Sequence, residues 1–272
     1  MDGDQISDDS RITRRRLLGL GLGAICAAFI ADRATGEISL GEMIQQGPDK
    51  EAASEGRLSA RPLEVKEASP QGVRKLGLDE GRDGLLYVPR GYRVDRPAPL
   101  ALMLHGAGGN AQQGLSLLQS FADESGLILL APHSRRQTWD VIVDRYGADV
   151  RYIDRALAQT FSRYAVDRKR IAVGGFSDGA SYALSLGLTN GDLFTHVIAF
   201  SPGFMSPSRQ KGSPRLFISH GTRDQVLPIQ RCSRRIVPQV KGAGYDVLYR
   251  EFDGPHTIPT EIARAAHEWF VK

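Results

Sequence analysis

The chain's 272 residues are 41% hydrophobic and 24% charged, fractions of an ordinary globular protein, which exclude disordered, collagen-like and disulfide-scaffold classes for the chain as a whole. Lys and Arg number 35 against 31 Asp and Glu, a net charge of +4, spread along the chain rather than gathered in a stripe, so no nucleic-acid partner is indicated. Length alone allows two domains, but α/β folds often use about 250 residues as one, and a single large domain is expected.

Residues 17–31, LLGLGLGAICAAFIA, are uncharged and follow Thr13, Arg14, Arg15 and Arg16. This apolar run, about fifteen residues diluted by Gly and Ala, is shorter than the roughly 20 residues a membrane-crossing helix needs. A tight basic run, a short apolar core and a small residue at Ala28 identify residues 1–31 as a signal segment. The string TRRRLL resembles the twin-arginine export signal, which implies the export machinery as a partner and a periplasmic or secreted destination. An uncleaved N-terminal tether is the alternative. Gly23, Ala24 and Ile25 before Cys26 do not match a lipoprotein site. Residues 32–56, rich in Gly, Ala, Gln, Glu and Asp without period, are expected to be a disordered linker, and residues 57–272 the folded domain. Cleavage beyond Cys26 would leave Cys232 as the one thiol, and so no internal disulfide; its simplest role is a buried thiol on a helix.

From about residue 82, short apolar runs alternate with longer amphipathic stretches. Strands are predicted at 85–88, 100–104, 127–131, 171–173, 197–200, 216–219 and 247–252, with an edge strand possible within 57–80. Helices are predicted at 111–124, 149–164, 178–188, 229–241 and 259–271. In the second of these, Val150, Ile153, Leu157 and Phe161 recur at helical spacing. Strand and helix taking turns, with several near-continuous apolar strands, predict an α/β fold with a doubly wound, mostly parallel sheet.

Functional groups in such a sheet gather where strands end and helices begin. Gly175, Ser177 and Gly179 form G-x-S-x-G between the strand at 171–173 and a helix. With 30 glycines in the chain the pattern arises by chance roughly 0.2 times, so its placement carries the argument. A serine hydroxyl is a weak nucleophile unless a base reaches it, and a sharp turn thrusts its oxygen clear of the sheet. The run LMLHGAGGN, residues 102–110, ends an earlier strand in a glycine-rich turn. Its backbone can supply the N–H of Ala107, paired with that of Asp178, to a developing oxyanion. The His105 imidazole is better read as a core histidine, and the Asp178 carboxylate as a helix N-terminal acid.

Asp224 follows the strand at 216–219, and His256 lies in a Gly-Pro turn before the last helix. The chain order Ser177, Asp224, His256 suits a base that takes the serine proton and an acid that fixes the base's tautomer. Asp253 and Asp192 are rival acids that do not end the appropriate strand, and His267 sits within the terminal helix. Trp139, Phe204 and Met205 follow strand ends and are candidate walls of a substrate pocket, a position where aromatic residues serve equally as packing anchors.

The strings HGAGG, GFSDGAS, SHGTRDQVLP and DGPHTIP, in this order over residues 81–272, resemble the α/β-hydrolase superfamily, specifically its phospholipase/carboxylesterase-like and polyhydroxybutyrate-depolymerase-like esterases. The resemblance implies a compact serine esterase acting through an acyl-enzyme on small soluble esters, without metal or cofactor. A lysophospholipase or acyl-thioesterase with the same triad is the alternative within enzymes, and a silent hydrolase fold used for binding is the alternative outside them. About eleven residues, 204–214, separate two predicted strands at a place where lipases often insert a lid, so a lidless site is expected.

Overall fold

The computed structural model describes residues 50–67 and 69–272. The expected signal segment 1–31 and residues 32–49 of the expected linker lie outside the described residues. Eight strands, β1 (Gly72–Lys75), β2 (Leu85–Val88), β3 (Ala98–Leu104), β4 (Ile128–Ala131), β5 (Val166–Phe176), β6 (His196–Phe200), β7 (Arg215–Gly221) and β8 (Val247–Phe252), form one sheet. Their order is β1-β2-β4-β3-β5-β6-β7-β8. β1 pairs β2, and β2 pairs β4, antiparallel; every pairing from β4 across to β8 is parallel.

The helices are α1 (Lys50–Ser54), α2 (Ala111–Ser116), α3 (Gln119–Ser125), α4 (Asp140–Val143), α5 (Ala148–Arg163), α6 (Asp178–Thr189), α7 (Ser233–Gly242) and α8 (Thr260–Val271). Strand alternation divides β3 between two cores. Leu100, Leu102 and Leu104 pack with Val150, Ile153, Leu157 and Phe161 of α5 and with α6 and α7. Ala101 and Met103 face the other way, onto Leu115, Phe121, Ile262 and Phe270 of α2, α3 and α8. Burying a Leu or Phe side chain this way stabilises the fold by roughly 1.5–3 kcal/mol, so a sheet covered on both faces explains why its strands read as unbroken apolar runs.

The predicted helix at 111–124 is two helices. Leu118 leaves helical geometry at φ −133°, ψ 0°, and the bend lets Leu115, Leu118, Phe121 and Ala122 all reach one core. The expected disordered linker also ends earlier than residue 56, because α1 packs on the body with Ala53 fully buried. Beyond it the chain is held by side chains of the sheet's own helices. Asn190 accepts from the Leu58 N–H (2.9 Å) and Asp154 from those of Ser59 and Ala60 (2.7 and 2.8 Å). Asp192 gathers Arg57, Arg61 and Lys211 at 3.0, 2.8 and 3.0 Å. Burial alone would raise that carboxyl, but these cations outweigh it and hold it far below the usual carboxylate range.

Candidate active site

Ser177 stands between β5 and α6 with φ 57° and ψ −120°, a conformation costing an L-residue about 1–3 kcal/mol. Ser177 N–H donates to Phe200 O at 2.9 Å, while its own carbonyl accepts from the Ala180 and Ser181 N–H groups, both at 3.0 Å. The turn is closed by its glycines. A Cβ on Gly175 would lie 2.5 Å from the Gly179 backbone, and one on Gly179 would overlap the carbonyl oxygens of Leu104 and His105. Hydrogen is the one side chain that fits, so β3, β5 and α6 meet closely enough to push Ser177 outward.

Asp224 and His256 come from the turns after β7 and β8, and those turns are bonded together. Thr222 N–H donates to Phe252 O (2.8 Å) and Arg223 N–H to Gly254 O (3.0 Å). A Cβ on Gly221 would sit 2.5 Å from Pro255 O, so glycine there permits the approach. His256 Nδ1 lies 2.6 Å from Asp224 Oδ2, with the Asp224 side chain fully buried and His256 13% exposed. Asp224 Oδ1 accepts from the N–H groups of Val226 (2.9 Å) and Leu227 (2.8 Å). Burial pushes the Asp224 carboxyl up, but the Leu227 N–H and the His256 imidazole outweigh it, leaving a net shift downward and an ionised acid.

The His256 ring stacks against Phe176, the residue before Ser177, with centroids 4.6 Å apart. The structure therefore brings the three sequence-predicted residues to one edge of the sheet. Ser177 Oγ has no hydrogen-bond partner among the described residues, His256 included; this contact commonly closes when substrate binds. The N–H groups of Ala107 and Asp178 likewise donate to nothing among the described residues, which leaves both free to serve an outside acceptor.

The turn carrying Ala107 is fixed from behind. His105 Nδ1–H donates to Gly106 O at 2.7 Å, and its Nε2 accepts from Ser134 N–H at 3.1 Å; burial brings its pKa down to about 4. Gly108 N–H donates to Gln137 O at 2.8 Å. Thr138 Oγ1 donates to the Asp178 carboxylate at 2.6 Å, which ties the same loop to the start of α6.

Trp139 is not a pocket wall. It is fully buried, its Nε1–H donates to His105 O at 2.9 Å, and its ring stacks on Tyr182 at 5.3 Å. A strand-end position suggested access, but the indole N–H finds its partner inside, so the residue is a packing anchor. Phe204 is 36% exposed and Met205 is partly buried against the core. The rival residues are engaged elsewhere. Exposed Asp253 pairs with Arg223 at 2.9 Å, Asp192 holds its three cations, and buried His267 meets Ser125 Oγ at 2.8 Å.

Sequence reasoning passed over several supporting residues. Asp140 and Asp149 cap each other's backbone: Asp140 N–H donates to Asp149 Oδ2 at 2.7 Å, and Asp149 N–H to Asp140 Oδ2 at 3.0 Å. They anchor the loop behind Trp139, and Tyr182 OH donates to Asp140 Oδ1 at 2.9 Å. His220, buried beside Asp224, carries no signal of its own in the sequence beyond its place in the string SHGTRDQVLP. Against His256 itself lies a cavity of about 630 Å³, lined also by Arg223, Gln225, Val226 and Pro255, with Val226 67% exposed.

Residues 144–268 match the phospholipase/carboxylesterase family. A probable feruloyl esterase C of Aspergillus niger is 31% identical over 157 residues, covering 54% of this chain and 57% of that protein. A bifunctional acetylxylan esterase/xylanase of Neocallimastix patriciarum is 27% identical over 159 residues, 56% of this chain and 22% of that protein. The chain thus spans little more than half, or less, of these relatives. Among solved structures, esterase PE8 is similar at a TM-score of 0.55 and 24% identity, covering 68% of this chain and 97% of that one. A ferulic acid esterase of Anaeromyces mucronatus has a TM-score of 0.57 at 16% identity, covering 77% and 93%.

Proposed function

From the premise that the chain has the α/β-hydrolase fold and matches the phospholipase/carboxylesterase family over residues 144–268, we propose that it is a serine hydrolase of carboxylic esters. The observation that carries this reading is the 2.6 Å contact of Asp224 with His256, stacked beside a serine in strained elbow geometry. Ser177 Oγ attacks the ester carbonyl carbon and its proton passes to His256 Nε2. The carbonyl oxygen becomes an oxyanion held by the N–H groups of Ala107 and Asp178. Collapse breaks the bond to the alcohol, which leaves with the proton from His256, and the acyl group stays on Ser177. Water, deprotonated by the same histidine, then releases the acid. Asp224 holds the Nδ1–H tautomer and stabilises the imidazolium.

For substrate we propose esters that join a small or aromatic acyl group to a polar alcohol such as a sugar hydroxyl. The names of the relatives support this, as does a mouth that sets Val226 and Pro255 beside Arg223 and Gln225. Residues 57–272 form the catalytic domain in this reading, exported by a twin-arginine-type segment at 1–31. Among the described residues no helix is long and apolar enough to cross a membrane.

Labelling with a fluorophosphonate tests the activity. The protein is expected to label and Ser177→Ala is expected not to; labelling of Ser177→Ala overturns the nucleophile. A panel of feruloyl, acetyl-sugar, lysophospholipid and acyl-thioester substrates tests the class. Turnover confined to the last two would displace the proposed substrate in favour of a lysophospholipase or thioesterase. Export is tested by replacing Arg14, Arg15 and Arg16 together with Lys, which keeps the charge and removes the recognised pattern; unchanged delivery would reject the route.

A further inference from the structure

Asp224 Oδ2 faces two histidines. His256 Nδ1 is 2.6 Å away on the solvent side, and His220 Nε2 is 3.2 Å away on the core side, where both side chains are fully buried. His220 is the penultimate residue of β7, four residues before the acid, and its ring is held at both nitrogens. Nε2 also lies 2.8 Å from Leu227 O, and Nδ1 lies 2.7 Å from Ser233 Oγ just inside α7.

These contacts settle the tautomer. Leu227 O and Asp224 Oδ2 are both acceptors, so Nε2 must carry the hydrogen; it donates to Leu227 O, and Asp224 Oδ2 stands 3.2 Å from the same nitrogen. Nδ1 is then the acceptor, and the Ser233 hydroxyl donates to it. Burial disfavours the charged ring, which stays neutral despite the carboxylate beside it. The neighbouring ionisable groups have other commitments. Glu251, opposite His220 on β8, is taken by Arg234 at 2.7 Å and Tyr249 at 2.9 Å, and burial and the Asp224 charge push the Cys232 thiol up, keeping it neutral.

We propose that His220 is a positioning residue of the esterase: its neutral ring, locked by Ser233, clamps Asp224 Oδ2 and the Leu227 carbonyl so that the acid presents its lone pair to His256. The proposal rests on the triad reading given above. Three donors then hold the carboxylate by hydrogen bonds, the Val226 and Leu227 N–H groups on Oδ1 and His256 on Oδ2, and His220 Nε2 backs Oδ2 from the core side at 3.2 Å. Because Leu227 both donates to Oδ1 and accepts from His220, the turn and the acid are held as one unit. Without His220, Oδ2 loses the polar contact on its core side and the Leu227 carbonyl loses its donor, so the carboxylate can rotate about its remaining bonds.

A buried histidine that merely fills space would lower stability, and it would do so independently of the acid. The two roles separate in a double-mutant cycle read by steady-state kinetics on 4-nitrophenyl acetate, with thermal melts for folding. His220→Leu, close in volume, is expected to lower kcat about tenfold, through the loss of the polar contact behind Asp224 and of the hydrogen bond to Leu227 O, with KM unchanged. His220→Gln, whose amide can donate from the same side, is expected to recover most of it. In an Asp224→Asn background His220→Leu is expected to add nothing, since residues acting through one another are not additive. The downfield proton resonance of the His256–Asp224 hydrogen bond should shift or broaden in His220→Leu and return in His220→Gln.

A folded His220→Leu with kcat within twofold of the wild type, or an effect of equal size in the Asp224→Asn background, overturns the proposal. Should His220→Leu fail to fold, Ser233→Ala takes its place under the same criteria, with an expected several-fold fall in kcat. If Asp224→Asn itself leaves kcat intact, the triad reading fails. If Asp224→Asn disables the enzyme and His220→Leu does not, the role of His220 alone is rejected.

Discussion

Gly175 and Gly179 touch backbone to backbone on either side of Ser177, so that a Cβ on Gly175 would stand 2.5 Å from the Gly179 carbonyl. The strained serine thus persists because its neighbours leave the chain no other course. A methyl at 179 must push α6 away from the Leu104 and His105 carbonyls, and the displacement falls on the Asp178 N–H, one of the two proposed oxyanion donors. Gly179→Ala is expected to abolish fluorophosphonate labelling and to cost about 1–3 kcal/mol in urea unfolding, the usual penalty of overpacking. Gly242→Ala is the control. Nothing lies within 4 Å of a Cβ there, at the end of α7, so it is expected to be neutral or to stabilise by up to about 1 kcal/mol. Normal labelling of Gly179→Ala would mean that the elbow can relax.

Trp139 supports the turn that carries the proposed oxyanion donor Ala107. Its indole N–H donates to His105 O, and the next two residues along that turn lead to the Ala107 N–H. Trp139→Phe keeps the stack on Tyr182 and removes the hydrogen bond. It is expected to cost about 1–3 kcal/mol of stability by leaving a buried carbonyl unpaired, and to lower kcat for short and long acyl esters alike. A pocket wall would behave differently, with KM changing selectively as the acyl chain lengthens. KM measured over a series of acyl lengths distinguishes the two.

The strands, the sheet's parallel run and the strand-end placement of Ser177, Asp224 and His256 were legible in the sequence because each rests on local pattern: apolar runs, a strand-to-helix glycine turn, and chain order. What escaped lies in relations between distant segments. β5 extends back to Val166 through Asp167, Arg168, Lys169 and Arg170, charged residues with no strand pattern: Val166 pairs with Ala98 of β3, and the register then shifts so that pairing resumes only at Ile171 with Leu100. β1, with Val73 51% exposed, shows only a weak alternation at the sheet edge. The mutual capping of Asp140 and Asp149 and the clamp of His220 on Asp224 join residues whose types are ordinary and whose meaning is spatial. Trp139 was misread for the same reason, since nothing local tells an indole that lines a cleft from one that closes a core.

Acid lability follows from the histidines. Burial lowers the pKa of His105 and of His196 to about 4, and lowers those of His220 and His267. A histidine depressed in the folded state binds fewer protons there than in the unfolded chain, whose value is about 6.5. Its contribution is therefore full above pH 6.5 and is lost as pH falls toward 4. The urea midpoint is expected to drop steadily over that window, by a few kcal/mol in stability for His105 and His196 together. His196 packs against Trp269 and Phe270, so His196→Phe should flatten the slope. A midpoint constant from pH 7 to 4.5 would show that these rings are hydrated or already charged.

The connection from β6 to β7 bears on substrate access. Among the described residues it carries no helix between Phe200 and Arg215, and its segment is tied down: Gly203 N–H donates to Ser181 Oγ at 2.9 Å and Ser206 N–H to Ser185 Oγ at 2.8 Å. A lid that answers to a lipid surface must do the opposite. It covers apolar area worth roughly 25 cal/mol per Å² when closed, and it needs a hinged segment free to lift that area away. Here the apolar groups near the cleft, Phe204 and Val226, already stand 36% and 67% exposed, so an interface would release no hidden area. Ordinary saturation is expected with soluble short-chain esters, without a jump in rate as the substrate passes its solubility limit, and long-chain triglycerides should turn over poorly. Rate against concentration for 4-nitrophenyl butyrate across that limit is the deciding measurement. A sharp rise at the emulsion threshold would require a mobile cover, and the bonds from Ser181 and Ser185 would have to break to provide it.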